Sequence, residues 1–267
     1  SIAHEGMWLP LLQEQNIFPI MQQAGCKLSE NDIYDVNNAS LKDAIVQVGS
    51  DCSGGIISNN GLVITNHHCV ESFIHKQSSV AQNYLHEGFW AKNHTQEIPA
   101  HGLYVSVLHQ IIDVSKDVLS DISDTLSAQD FYMCTQAKID SIIAVYTLHD
   151  STLHYSIEPL YGGNQYLLFS SRRFSDVRLV GFMPANIASF GADLDNWMWP
   201  RHAADFALLR IYVDTLQNAA DFSEHNVPYI PRTCLSIDTS GIKEGDFTML
   251  MGYPAQTNNY ATSYETS

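Results

Sequence analysis

The sequence predicts a mainly β chain with helical additions. Three observations carry that expectation. Short apolar runs recur between Gly, Asn, Asp and Ser punctuation, two of them are joined by Asn59-Asn60-Gly61 as in a β-hairpin, and helical periodicity is sustained over one long stretch, residues 116–148. An apolar content of 45% in 267 residues excludes a disordered chain and leaves room for one sizeable domain or a barrel with attachments.

In chain order, residues 7–23 read as an opening amphipathic helix through Trp8, Leu11, Leu12, Ile17 and Ile20, with Gly25 as its stop signal. Pro10 and Pro19 count against it, because proline removes a backbone donor and crowds the preceding turn. Strands dominate residues 44–64, and 103–112 form another. The stretch 116–148 is a helical excursion: Ser127 and Asp130 have capping-box spacing, and Ile139, Ile142, Ile143 and Tyr146 share one face. Strands resume at 155–158, 165–170, 177–181, 205–213 and 246–252. Internal repeats and low-complexity runs are absent from the sequence.

The hairpin is the most informative element. Cys52-Ser53-Gly54-Gly55-Ile56-Ile57-Ser58 and Leu62-Val63-Ile64 flank the Asn59-Asn60-Gly61 turn, and His67-His68-Cys69 follows at once. A cysteine therefore stands at each outer end. If Cys52 and Cys69 are paired, the bridge closes a loop worth about 3 kcal/mol by chain entropy and fixes the turn that carries the histidine. The pattern resembles the trypsin-like Cys-Gly-Gly-Ser-Leu-Ile, turn, Val-Val-Thr-Ala-Ala-His-Cys, in which His68 rather than His67 takes the general-base position. Such a base needs a carboxylate to hold its tautomer and stabilise the imidazolium. Asp205-Phe206-Ala207-Leu208-Leu209-Arg210-Ile211 fits, since it resembles Asp-Ile-Ala-Leu-Leu-Lys-Leu and sends an aspartate into a buried strand.

The nucleophile is the missing member, because no Gly-Asp-Ser-Gly-Gly or Gly-Asn-Ser-Gly motif follows Asp205. Asp51-Cys52-Ser53-Gly54-Gly55 imitates such a loop by letters, yet it precedes the histidine and forms the first hairpin strand. Ser240 lies in a polar turn without the glycine an oxyanion loop needs. Loss of the serine costs about a millionfold in a comparable triad, so this polypeptide by itself is expected to be inactive.

Further motifs agree with one another: His4-Glu5-Gly6-Met7-Trp8, Asn37-Asn38-Ala39-Ser40-Leu41-Lys42-Asp43-Ala44, Thr65-Asn66-His67-His68-Cys69, Glu87-Gly88-Phe89-Trp90-Ala91, Tyr161-Gly162-Gly163-Asn164 and Asp195-Asn196-Trp197-Met198-Trp199-Pro200-Arg201-His202. On these the chain resembles the N-terminal portion of the bacterial dipeptidyl-peptidase 7 and dipeptidyl-peptidase 11 family of serine exopeptidases. The resemblance implies a chymotrypsin-like double β-barrel interrupted by a large helical domain. It implies a lead-in over residues 1–26, the first part of the peptidase domain over 27–254, and the start of the helical domain over 255–267. It places the base and aspartate on His68 and Asp205, the disulfide on Cys52 and Cys69, and recognition of the substrate's free N-terminus on Asn196 and Trp197. Departures occur at Asp193-Leu194-Asp195, Ala203-Ala204 and Ala255-Gln256-Thr257, none of which touches His68 or Asp205.

The implied reaction is release of dipeptides from oligopeptides with a free N-terminus, by acyl-enzyme chemistry and without a metal or other cofactor. A trypsin-like endopeptidase is the runner-up, and a non-catalytic relic acting as a binding module is the reading from a different class. His67, His68, Cys69, His75 and Cys52 match no zinc template, because neighbours in an extended segment point to opposite sides. The net charge of −16 argues against nucleic acid or an anionic membrane as partner. No run of residues reaches the length of a membrane-spanning helix, so membrane insertion is not expected. A homodimer is compatible with the sequence. The start at Ser1 suits a cleaved signal peptide, hence a periplasmic or secreted location. Cys26, Cys134 and Cys234 find no assignable partner, and the sequons at Asn38 and Asn93 carry no meaning in a bacterial chain.

Overall fold

The hairpin forms where its punctuation places it. In the computed structural model, which describes residues 8–11, 17–123, 125–191, 200 and 202–254, strand β2 (Cys52–Ile56) pairs with β3 (Leu62–Thr65) in the register Gly54 to Thr65 and Ile56 to Val63. Gly61 closes the turn at φ +67°, where a side chain would meet the carbonyl oxygens of Ile211 and Tyr229 at 3.0 Å. Only glycine meets both demands at that corner.

The chain divides into two units. The larger holds residues 44–105, 174–241 and 248 onward. Its strands are β1 (Ile45–Val48), β2, β3, β4 (Phe89–Trp90), β5 (Ile98–Pro99), β9 (Asp176–Phe182), β10 (Ala207–Val213) and β11 (Val227–Pro228). They lie in the order β4-β9-β10-β3-β2-β1, with β5 also on β9 and β11 on β10, and every pairing is antiparallel. An extra residue in β9 interrupts its ladder opposite Leu208 and Leu209. Ala207, Leu209, Ile211 and Val213 alternate onto one face of β10 and are each 0% exposed. Each side chain the size of Leu or Ile buried in this way stabilises the sheet by about 1.5–3 kcal/mol. Short helices α3 (Glu71–Gln77), α4 (Tyr84–Glu87) and α7 (Ala185–Ala188) belong to the same unit, and α4 touches both of the others.

The opposite face of β10 is polar and still buried. Arg210 donates to Glu97 at 2.9 Å and to the Asn60 side chain at 2.7 Å, and the Tyr212 hydroxyl donates to Glu97 at 2.8 Å. Arg178 of β9 stacks on the Tyr212 ring at 3.7 Å and makes two bonds to Asp176. Every charge in this cluster has an opposite partner, the condition under which buried ions are tolerated.

The smaller unit comprises residues up to 43, 106–173 and 242–247. Here β6 (Val105–Asp113), β8 (Gln165–Phe174) and β7 (His154–Leu160) run in that order, with β7 and β8 antiparallel. Helices α1 (Phe18–Gln23), α2 (Glu30–Ile33), α5 (Ser115–Leu119) and α6 (Ala128–His149) accompany them. Ser127 caps α6 by accepting from the Asp130 amide at 3.2 Å, and Ile139, Ile142, Ile143 and Tyr146 pack with Val118, Tyr155 and Leu168. Both features follow the sequence expectation.

Three expectations are corrected. The opening helix of residues 7–23 is reduced among the described residues to Phe18–Gln23, with Trp8 to Leu11 non-helical. Pro19 does not interrupt a helix but starts one, at a position whose N–H would lack a partner in any case. The stretch 116–148 is two helices separated by residues 120–127, where Asp121 takes φ +59°. Residues 246–252 are not a strand: alternating apolar residues need a neighbouring edge to pair with, and among the described residues Phe247 to Gly252 have none. Instead Ser53 accepts from the Tyr253 amide at 2.6 Å.

Candidate active site

Antiparallel pairing of β3 with β10 sets Thr65 opposite Ala207. The chain leaving β3 at Asn66 therefore passes the chain entering β10 at Asp205. Two strands with no sequence proximity bring their polar ends together in this way.

The contacts that result are specific. His68 Nδ1 lies 2.8 Å from Asp205 Oδ2, and the His68 backbone N–H donates to Asp205 Oδ1 at 3.1 Å. The Asn66 side-chain amide donates to the Asp205 backbone carbonyl at 3.0 Å and to Oδ2 at 3.3 Å. A carboxylate accepting on both oxygens leaves Nδ1 as the protonated nitrogen of His68 and Nε2 as the free base. The His68 side chain is 64% exposed and that of Asp205 17%, so the base end meets solvent while the orienting end is shielded. Burial pushes the Asp205 carboxyl up, but bonds from the His68 ring and backbone outweigh it and hold the group below its ordinary value.

Cys52 and Cys69 are joined in a disulfide with Cα atoms 6.1 Å apart, clamping the turn to the first hairpin strand. These sulfurs lie with a ring nitrogen of His68 within 4.8 Å of one another, yet sulfurs bonded to each other offer no thiolate, so the group does not suit a metal. Ser53 is committed to the Tyr253 backbone, and Ser240 to Asp238. Asn196 and Trp197 lie outside the described residues. Cys26, Cys134 and Cys234 are free thiols, and Cys234 donates to Asn59 Oδ1 at 3.2 Å.

Two neighbours of the base were not singled out by sequence for what they do here. Asn66 braces Asp205, a role signalled only by a polar amide between a strand end and the histidine. His67 turns inward: it is 3% exposed, its ring meets Phe182 edge-on at 6.3 Å, and its Nε2 is buried without a hydrogen-bond partner among the described residues. Burial pushes its pKa down, against the pull of Glu71 and Asp205, which keeps the ring neutral at neutral pH.

Comparison with known proteins places this arrangement in context. Residues 3–267 match the family model described as Peptidase S46. An Asp/Glu-specific dipeptidyl-peptidase of Capnocytophaga gingivalis is 41% identical over 258 residues, covering 97% of this chain and 36% of that protein. Dipeptidyl-peptidase 7 of Phocaeicola vulgatus is 40% identical over 270 residues, covering 99% of this chain and 37% of that protein. The crystal structure of Porphyromonas endodontalis DPP11 in complex with the dipeptide Arg-Glu superposes with a TM-score of 0.80 at 39% identity, covering 91% of this chain and 36% of that one. The chain thus spans about a third of the length of these relatives.

Proposed function

The chain belongs to the peptidase S46 family, and from that premise we propose that it supplies the base and the orienting carboxylate of a serine-type dipeptidyl peptidase. The carrying observation is the 2.8 Å contact between His68 Nδ1 and Asp205 Oδ2, which leaves Nε2 exposed to take a proton from an attacking hydroxyl. The serine and its oxyanion donors then come from residues beyond this segment, within a chymotrypsin-like double barrel into which a helical domain is inserted. His68 accepts the serine proton as the acyl-enzyme forms and returns it to the leaving amine. Asp205 stays ionised and stabilises the imidazolium. Asn196 and Trp197 accept and flank the substrate's α-ammonium, so that cleavage falls after the second residue of an oligopeptide. The disulfide suits a periplasmic or secreted location.

The test uses the whole protein with a dipeptidyl fluorogenic reporter and its N-acetylated counterpart. Release from the free-amine reporter only, abolished in His68→Ala, is expected. Equal turnover of the acetylated reporter would instead mark an endopeptidase.

A further inference from the structure

The strand that carries the disulfide also holds a distant piece of chain. Ser53 follows Cys52 in β2, and Cys52 is bonded to Cys69, which follows His68. The Ser53 backbone is fixed on both sides: it pairs with Gln47 of β1, and its carbonyl accepts from the buried Thr65 hydroxyl of β3 at 2.8 Å. From that firm base its side chain reaches a residue 200 positions away. Ser53 Oγ accepts from the Tyr253 amide at 2.6 Å and donates to the Tyr253 carbonyl at 3.2 Å. Gly252 permits the approach, since a Cβ there would lie 2.5 Å from Ser53 Oγ and 3.0 Å from Ser53 Cβ. Near the other end of β2 the Leu235 amide donates to the Ile56 carbonyl at 2.8 Å, so the returning chain is tied to this strand twice.

Tyr253 belongs to no strand among the described residues, so no sheet ladder uses its N–H and C=O. The Ser53 hydroxyl, at once acceptor and donor, supplies both bonds as a neighbouring strand would. The covalent path from this rung to the base is short, running through Cys52, the disulfide and Cys69 to His68. In the function proposed above, the nucleophile lies farther along the chain than Pro254. We infer that Ser53 is a positioning residue, whose hydroxyl sets where the chain running on to the nucleophile leaves the strand that carries the clamp on His68. This rests on the reading of His68, Asp205 and a downstream serine given above. Misplacing a reacting group by about 1 Å costs about a hundredfold in rate, so one hydrogen-bonded rung at this point is enough to be felt.

Two replacements in the whole protein attack the rung from opposite sides. Ser53→Ala removes the hydroxyl and adds no bulk, whereas Gly252→Ala keeps the hydroxyl and pushes Tyr253 away from it. Each variant, and the two combined, is measured for kcat on the dipeptidyl reporter and for its rate of labelling by a fluorophosphonate, which needs the serine and its base but no bound peptide. Each single variant is expected to lower both rates together, roughly tenfold or more, with KM little changed. The double variant should be no slower than the worse single one, because a rung already broken is not broken again. The downfield proton resonance of the His68 to Asp205 hydrogen bond should persist throughout. Wild-type rates in Ser53→Ala overturn the inference, since a hydroxyl that only stabilises the fold moves the thermal midpoint alone. Multiplying losses in the double variant overturn it as well, as does loss of the resonance, which would route the effect through the base. A wild-type protein that neither releases dipeptide nor takes up the probe sinks the catalytic reading itself, an outcome distinct from an active protein indifferent to Ser53→Ala.

Discussion

Asp205 uses both carboxylate oxygens on one residue, Oδ1 for the His68 amide and Oδ2 for the His68 ring. Asp205→Asn must turn an NH2 toward one of those donors, so the imidazole loses its tautomer. In the whole protein kcat is expected to fall by about 10⁴ with the fold intact, checked by single-turnover kinetics beside circular dichroism. The same residue sets an acid limit. Its folded value lies below the ordinary 3.8, so its stabilising contribution is complete above 3.8 and is lost as pH falls through the lower folded value. Thermal melts across the acid range should show wild type above Asp205→Asn at neutral pH and the two converging at strongly acid pH. His68 and Asp205 were both legible in the sequence because each stands at a fixed offset from an apolar run. The roles of Asn66 and His67 were not, since which way a side chain turns at a strand end depends on a neighbour over 100 positions away, as the bond between Asn66 and Asp205 shows.

Among the elements, those with local punctuation were readable. Asn59-Asn60-Gly61 specified a hairpin, and Ser127 specified a helix start, because turn and cap chemistry act within a few residues. Proline misled at the opening helix, where it is excluded from interiors yet favoured at the first turn, and periodicity alone does not say which applies. The stretch 246–252 shows the complementary failure, since alternation marks a face and says nothing of a partner edge. The buried polar face of β10 was also hidden, as Glu97 and Arg210 are 113 residues apart. Removing one side of that pair strands the other. Glu97→Ala leaves the Arg210 charge facing an empty site and the Tyr212 hydroxyl without its acceptor, and is expected to cost about 3–5 kcal/mol in urea unfolding.

At the scale of the whole molecule, mainly β architecture followed from composition and pattern, and family membership followed from motifs spread over the chain. The division into two units did not, because the smaller one gathers residues before 44 with 106–173 and so depends on contacts between distant stretches. Since the proposed nucleophile lies outside residues 1–267, a fluorophosphonate probe should label the whole protein at a serine and leave this segment by itself unmodified. Labelling of the isolated segment would show a nucleophile among these residues and overturn the division of labour proposed for the triad.

Arg178 and Arg210 are direct partners across β9 and β10, two like charges facing each other in a buried ladder. Unrelieved, such a pair is destabilising. With Asp176 and Glu97 in place it acts as a combination lock on strand alignment. A one-residue slip of β10 would swing Arg210 and Tyr212 into the space of Leu209 and Ile211, setting apolar side chains against Glu97 and stranding the Arg210 guanidinium. Because Asp205 lies two residues before the start of that strand, the misaligned chain would also lift the carboxylate away from His68. The Arg210–Glu97 ion pair, remote from the chemistry, therefore proofreads it: the alignment that seats Arg210 on Glu97 is the one that sets Asp205 beside His68.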